Sequence, residues 1–241
     1  MFKKKDKKGG GMKSTAIIVL GRNIGDNRLN FLKDLGGFEK VFDVPFIDAE
    51  LDNVWKSWKI QQVSKGLGIG KGAAGCYLAH LAAWKICNDH EYSAALILED
   101  DAELTNYGYR QIHKVVEDFL NKDFNLLHLG NDYKVNTKNP MTLILNYGFR
   151  YLAKDTYERL ILRFCSPRYS KNDFPFSTHS YLISKPMASA LVSIEPNFLS
   201  PVDVLLNGIS TVKNNKVYRT RNMLFVQERL GRPSRVTILG R

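Results

Sequence analysis

Apolar residues in this chain fall into short dense runs, separated by segments where they recur at helical intervals. Ala16–Leu20 (AIIVL) and Ala94–Leu98 (AALIL) are wholly apolar, as suits strands buried on both faces. Val41–Ile47 predicts a further strand, ending in Asp48-Ala49, and Phe124–Leu129 (FNLLHL) another, closed by Gly130-Asn131-Asp132. Ser180–Ser184 reads as a strand, and Val217–Val226 supplies one or two late ones. Helical spacing appears over Asn27–Leu35, through Leu29, Leu32 and Leu35, and over Ala73–Asn88, through Leu78, Leu81, Ala82, Trp84 and Ile86. Tyr107–Leu120 repeats it through Ile112, Val115, Val116 and Phe119. Pro186–Ile194 opens with a proline suited to a first helical turn, and Pro201 starts a helix through Val204, Leu205 and Ile209. Gly66, Gly68, Gly70 and Gly72 predict a loop. Residues 133–178 are less regular, with a strand candidate at Thr142–Leu145 and a helix candidate at Thr156–Phe164. Strands alternating with helices over short connections predict an α/β domain with a largely parallel sheet. No internal repeat or clear linker divides it.

Composition narrows the class. With 44% hydrophobic and 24% charged residues, the chain has the make-up of a soluble globular protein with a real core. No apolar stretch approaches the ~20 residues of a membrane span, and the run after the N-terminal lysines is too brief for a secretory signal. Cys76, Cys87 and Cys165 form neither a disulfide framework nor a metal pair, which fits a reducing cytoplasm. The net charge of +11 is concentrated at the ends. Residues 1–8 hold five Lys against one Asp, and residues 213–241 hold eight Lys or Arg against Glu228. The body between them is neutral, so this is not a nucleic-acid-reading face. Such ends suit a diphosphate, peripheral contact with an anionic membrane, or nothing specific. The expected organisation is a disordered basic leader over 1–12, a single domain over 13–227 and a basic tail over 228–241.

The candidate chemistry begins where the strand Ala94–Leu98 meets three carboxylates, Glu99, Asp100 and Asp101. Ligands of open α/β sheets bind beyond the carboxyl ends of the strands, where these acids would lie. If the chain stays extended, Glu99 and Asp101 point the same way and call for a cation between them. The plainer alternative is a set of solvated loop acids, or acids drawn to a helix N-terminus. Asp203, opening the apolar helix after Pro201, is equally a general base or a helix-stabilising charge worth ~0.3–1 kcal/mol. Arg22 and Arg28 follow the first strand, where nucleotide phosphates often lie and where solvated arginines are as common. Trp55 and Trp58 suit stacking on a sugar or packing in a helical core. Gly70 to Gly75 matches G-x-G-x-x-G by letter but lacks the strand that the dinucleotide fingerprint needs before it. The five histidines show no zinc spacing, and His80 sits on an apolar helix where a core histidine is the commoner outcome.

Taken together, several segments resemble glycosyltransferase family 25, the group of bacterial lipooligosaccharide sugar transferases and collagen galactosyltransferases. The matching stretches are IVLGRNIGDNRL (18–29), FIDAEL (46–51), GAAGCYLAHLAAW (72–84), AALILEDDAEL (94–104), LLHLG (126–130), HSYLISKPMASALV (179–192) and PVDVLL (201–206). The resemblance implies a GT-A-like nucleotide-sugar-binding fold with a mostly parallel central sheet and flanking helices. It implies inverting transfer of a hexose, commonly galactose, from a UDP-sugar to a hydroxyl of a glycan or glycoconjugate acceptor. Glu99-Asp100-Asp101 looks like the acidic motif that holds a divalent metal, Mn²⁺ or Mg²⁺, against the diphosphate, with Asp101 as first ligand. Gly75, Cys76 and His80 match the second family block, where donor contacts are expected, and Asp203 matches the late Pro-x-Asp element as the base. His179 is a candidate for the diphosphate, as are Arg22 and Arg28. Ala79 stands where many members have Ser, and Gly21-Arg22-Asn23 replaces the usual Asp-Arg pair. The alternative of another class is a non-catalytic nucleotide-sugar- or glycan-binding module. The expected location is the cytoplasm, with peripheral attachment to the inner face of the membrane through the basic ends.

Overall fold

The first strand sets the plan, because all seven residues of β1 (Thr15–Gly21) are buried and it must therefore lie between neighbours on every side. The computed structural model describes residues 14–21, 25–45, 71–130, 167, 169–171, 177–194 and 201–227. Around β1 run α1 (Asp26–Asp34), β2 (Lys40–Pro45), α2 (Lys71–Asp89), β3 (Ala94–Glu99) and β4 (Ala102–Leu104). These are followed by α3 (Asn106–Asn121), β5 (Leu126–His128), β6 (Tyr169–Lys171), β7 (Ser180–Ser184), α4 (Lys185–Val192), α5 (Val202–Ser210), β8 (Val217–Thr220) and β9 (Phe225–Gln227).

Seven strands form one sheet in the order β2-β1-β3-β7-β5-β8-β6, and β4 pairs with β9 in a small second sheet. Five of the seven run the same way, and only β7 and β6 run against them. The sheet is thus mostly parallel, with helices on both faces. Alternation along β1 and β3 divides the core. Ile18, Leu20, Ala95 and Ile97 face α2, α4 and α5, whereas Ile17, Val19, Leu96 and Leu98 face α1 and α3.

Strand order explains the two layers. The chain leaves β1 toward β2, then returns past β1 to lay β3 on its other side. Right-handed crossovers in opposite directions put their helices on opposite faces, and α1 and α2 do pack on opposite faces. A crevice opens at such a reversal, beyond the carboxyl ends of β1 and β3. The antiparallel strand β7 brings its N-terminus to this same edge, with Ser180 beside Leu98.

Several elements differ in detail from the pattern-based expectation. Gly72 lies in the first turn of α2 rather than in a loop, and β5 is shorter than Phe124–Leu129 although both of those end residues are buried. The three-residue strands β4 and β6 are too short to show a period of two. Helix ends follow side-chain chemistry. Thr105 accepts a hydrogen bond from the Gly108 N–H to start α3, and Ser184 does the same for Met187 at the start of α4. Gly108 has no room for a side chain, because a Cβ there would collide with the Leu224 carbonyl oxygen. The expectations for Arg22, Trp55, Trp58, Thr142–Leu145, Thr156–Phe164, the leader 1–12 and the tail 228–241 lie outside the described residues, as does the loop of Gly66, Gly68 and Gly70.

Candidate active site

β3 ends at Glu99, and the next two residues turn before β4 begins. Strand alternation therefore stops at Glu99, and the carboxylates of Glu99 and Asp101 take different partners instead of sharing one orientation by default.

Glu99 turns toward α2. Its Oε1 accepts hydrogen bonds from Thr178 Oγ1 and from His80 Nε2, the latter at 3.2 Å. Burial raises the Glu99 carboxyl, but the His80 hydrogen bond and charge, together with Thr178, outweigh it and hold the group below its ordinary value. His80 is fully buried and is itself held from behind. Its Nδ1 lies 2.7 Å from the Tyr181 hydroxyl, which accepts a 3.0 Å hydrogen bond from Trp84 Nε1. Trp84 and His80 lie four residues apart on α2, so one helix face supplies both ends of this buried chain. Cys76, one turn before His80, continues the same face. Its thiol is pushed up to about 12, first by burial and then by the charges of Glu99, Asp203 and Asp101.

The turn after β3 is stapled by an arginine. Arg28 of α1 directs Nη2 to the carbonyl oxygens of Glu99, at 2.8 Å, and Ala102, at 2.7 Å, bracketing Asp100 and Asp101. Arg28, expected at the donor phosphates, here ties the backbone on both sides of the acidic turn. Asp100 lies so close to Gly21 that a Cβ there would overlap its side chain, which is why β1 ends in glycine. Asp101 Oδ2 accepts a 2.7 Å hydrogen bond from Gln227 of β9. Asp101 Oδ1 is buried with no hydrogen-bond partner among the described residues. Burial raises the Asp101 carboxyl, and the charges of Glu99 and Asp100 add to the effect despite the Gln227 bond.

A histidine pair borders the same edge. His179 hydrogen-bonds the Ser177 hydroxyl through Nδ1 and lies against Gly130, where any Cβ would strike its ring. Its carbonyl accepts the Glu99 N–H at 2.9 Å. The His128 ring meets the His179 ring edge-on, and His128 Nε2 donates to the Ser177 carbonyl at 3.0 Å. Burial, then the nearby His179 charge, lowers His128 from 6.5 to about 3. A histidine depressed in the folded state lets the unfolded chain bind a proton first, so acid destabilises. Between those two values His128 should cost about 1.4 kcal/mol of stability per pH unit. Thermal melts between neutral pH and about pH 4 should show this slope, and His128→Asn should flatten it. An unchanged slope in the variant would assign the effect to another group.

Asp203 occupies the first turn of α5, half-buried, with Oδ1 accepting the Val204 N–H at 2.8 Å. Its charge reaches the Cys76 thiol, so it belongs to the same neighbourhood as Glu99 and Asp101. Gly75 lies buried in α2 beside Cys76. The fold thus gathers Arg28, Gly75, His80, Glu99, Asp100, Asp101, His179 and Asp203 near one edge. Thr178, Tyr181, Trp84 and Gln227 join them without any local sequence signal, because each acts through a contact far along the chain.

An α/β protein with clustered carboxylates where its strand order reverses belongs to the broad class that takes ligands at that crevice. Residues 44–206, more than half of the chain, match the model of "Glycosyltransferase family 25 (LPS biosynthesis protein)", and the chain belongs to this family. Procollagen galactosyltransferase 2 from Mus musculus is 23% identical over 216 residues, covering 82% of this chain and 31% of the mouse protein. The Homo sapiens protein of the same name is 24% identical over 160 residues, 64% of this chain and 22% of the human one. The chain therefore spans a third or less of these relatives. Among solved structures, glucosyl-3-phosphoglycerate synthase from Mycobacterium tuberculosis, in complex with Mg²⁺ and UDP, aligns with a TM-score of 0.41 and 10% identity, covering 92% of this chain and 73% of that one.

Proposed function

We propose that this chain transfers a hexose, galactose first among the candidates, from a UDP-sugar to a hydroxyl of a glycan or glycoconjugate acceptor, with inversion and with help from a divalent metal. The observation that carries the reading is the buried Oδ1 of Asp101, without a hydrogen-bond partner among the described residues, beside Asp100 and Glu99 at the crevice. Burial and carboxylate repulsion disfavour the charged form there, and a cation removes both penalties. Asp100 and Asp101 offer hard oxygen donors, which fit Mn²⁺ or Mg²⁺. When bound, such a metal neutralises charge on the departing diphosphate.

The protein's own groups divide the remaining work. Arg28 fixes the backbone on both sides of the acidic turn, so the two aspartates project from a rigid support. Glu99, tied to His80 and Thr178, buttresses the turn from the α2 side. His179, on the Gly130 side of the edge, is assigned to the diphosphate. Asp203 takes the proton of the attacking hydroxyl as the acceptor oxygen displaces the diphosphate from the opposite face of the sugar. No helix among the described residues is long and apolar enough to cross a membrane. The basic stretches at 1–8 and 213–241 would hold the protein against an anionic surface carrying its acceptor.

A screen of UDP-sugars with Mn²⁺, Mg²⁺ or chelator tests the reading. At ~100 times its dissociation constant the right donor should stabilise the fold by about 2.7 kcal/mol, or roughly 5–11 °C in Tm. The shift should need the metal and be accompanied by release of UDP. Absence of both shift and UDP release with every UDP-sugar would overturn the proposal.

A further inference from the structure

We infer that Cys76, His80 and Glu99 form a second cation site, suited to a borderline metal such as Zn²⁺ and distinct from the oxygen-only pair Asp100 and Asp101. The three side chains come from two elements. Cys76 and His80 stand four residues apart on one face of α2, the spacing by which a helix offers two ligands to one zinc ion. Glu99 faces them from the end of β3.

The distances suit the assignment. One ligand atom from each residue lies within 4.8 Å of the other two. His80 Nε2 and Glu99 Oε1 are 3.2 Å apart, close to the roughly 3.3 Å separating two ligands of a tetrahedral zinc ion. The Cys76 sulfur completes the set, with no two of the three ligand atoms more than 4.8 Å apart.

The surroundings have the features that accompany bound metals. A ligating histidine is normally oriented by a partner on its other ring nitrogen. Here the Tyr181 hydroxyl, 2.7 Å from His80 Nδ1 and anchored by Trp84, does this inside the core. Thr178 hydrogen-bonds Glu99 in the same way. The local field is negative, since Glu99, Asp203 and Asp101 all raise the Cys76 thiol. A dication reverses that effect. On binding, the Cys76 thiol gives its proton to solvent and the thiolate takes the metal, while the His80 ring proton that faces Glu99 from Nε2 shifts to Nδ1, toward the Tyr181 hydroxyl, and leaves Nε2 bare for the ion. Three protein ligands leave one coordination position for water or another crevice oxygen.

Cobalt supplies a readout independent of turnover. The full-length chain, stripped with chelator and titrated with Co²⁺, should develop a near-ultraviolet thiolate-to-cobalt band that saturates at one ion per chain. Zn²⁺, higher in the affinity order, should bleach it. Cys76→Ser should abolish the band, whereas Asp101→Asn should retain it even while transfer is lost, which separates this site from the proposed reaction. X-ray absorption of the Zn²⁺-loaded parent protein should show one sulfur in the first shell, a measurement that does not depend on any variant folding. No thiolate band, a band that survives Cys76→Ser, or a shell of nitrogen and oxygen alone would overturn the assignment.

Discussion

Asp101→Asn is expected to lower sugar transfer about a thousandfold while leaving the metal-free protein as stable as the parent or more so. The two effects have opposite causes. The Asp101 carboxyl is raised by burial and by the charges of Glu99 and Asp100, so folding disfavours its charged form relative to the unfolded chain. A carboxyl raised on folding opposes folding once pH exceeds its unfolded value, and relief comes as pH falls through the folded value. Asn mimics the neutral form and still offers an oxygen to Gln227, whose hydrogen bond is therefore kept. Activity has no such replacement. Removing one of the two proposed cation-holding carboxylates forfeits leaving-group stabilisation of several kcal/mol, and ~4 kcal/mol corresponds to roughly a thousandfold. Melting curves without metal and turnover at saturating Mn²⁺ read the two effects separately. Turnover within about tenfold of the parent would take Asp101 out of the metal site.

The second large effect is expected at Asp203. Asp203→Asn should reduce kcat by about 10²- to 10⁴-fold, the usual contribution of a general base, with donor affinity unchanged. Stability should move little. The plain role of this carboxylate, at the start of α5 with its oxygen on the Val204 N–H, is worth ~0.3–1 kcal/mol, and Asn preserves the acceptor. Single-turnover rates and donor titrations separate the cases. Unchanged turnover would remove Asp203 from the chemistry, and weakened donor binding would assign it to the UDP-sugar instead. A parent protein that binds donor but never turns over would be a binding module.

Much of the architecture was legible from the pattern. β1 and β3 are apolar at every interior position because both of their faces are covered, so no other element could use such runs economically. The stripe on α3, Ile112, Val115, Val116 and Phe119, is the buried face observed. The direction of β7 was not legible. Ser180–Ser184 reads the same whether it runs with its neighbours or against them, and its reversal brings Thr178 and His179 to the acidic edge. Arg28 shows the same limit. A sequence places it after a strand, but only the packing of α1 shows that its guanidinium reaches the Glu99 and Ala102 carbonyls, more than seventy residues away.

The chain's order of residues, by itself, determined the strands and helices, the family and the three adjacent acids, because periodicity, capping and motif spacing are local properties. Tertiary structure decided how those acids differ. Glu99 is drawn down by His80 and Thr178, whereas Asp101 is pushed up with one oxygen unpartnered among the described residues. Hydrogen bonding and desolvation depend on which distant groups arrive beside a carboxylate, and no stretch of neighbouring residues encodes that.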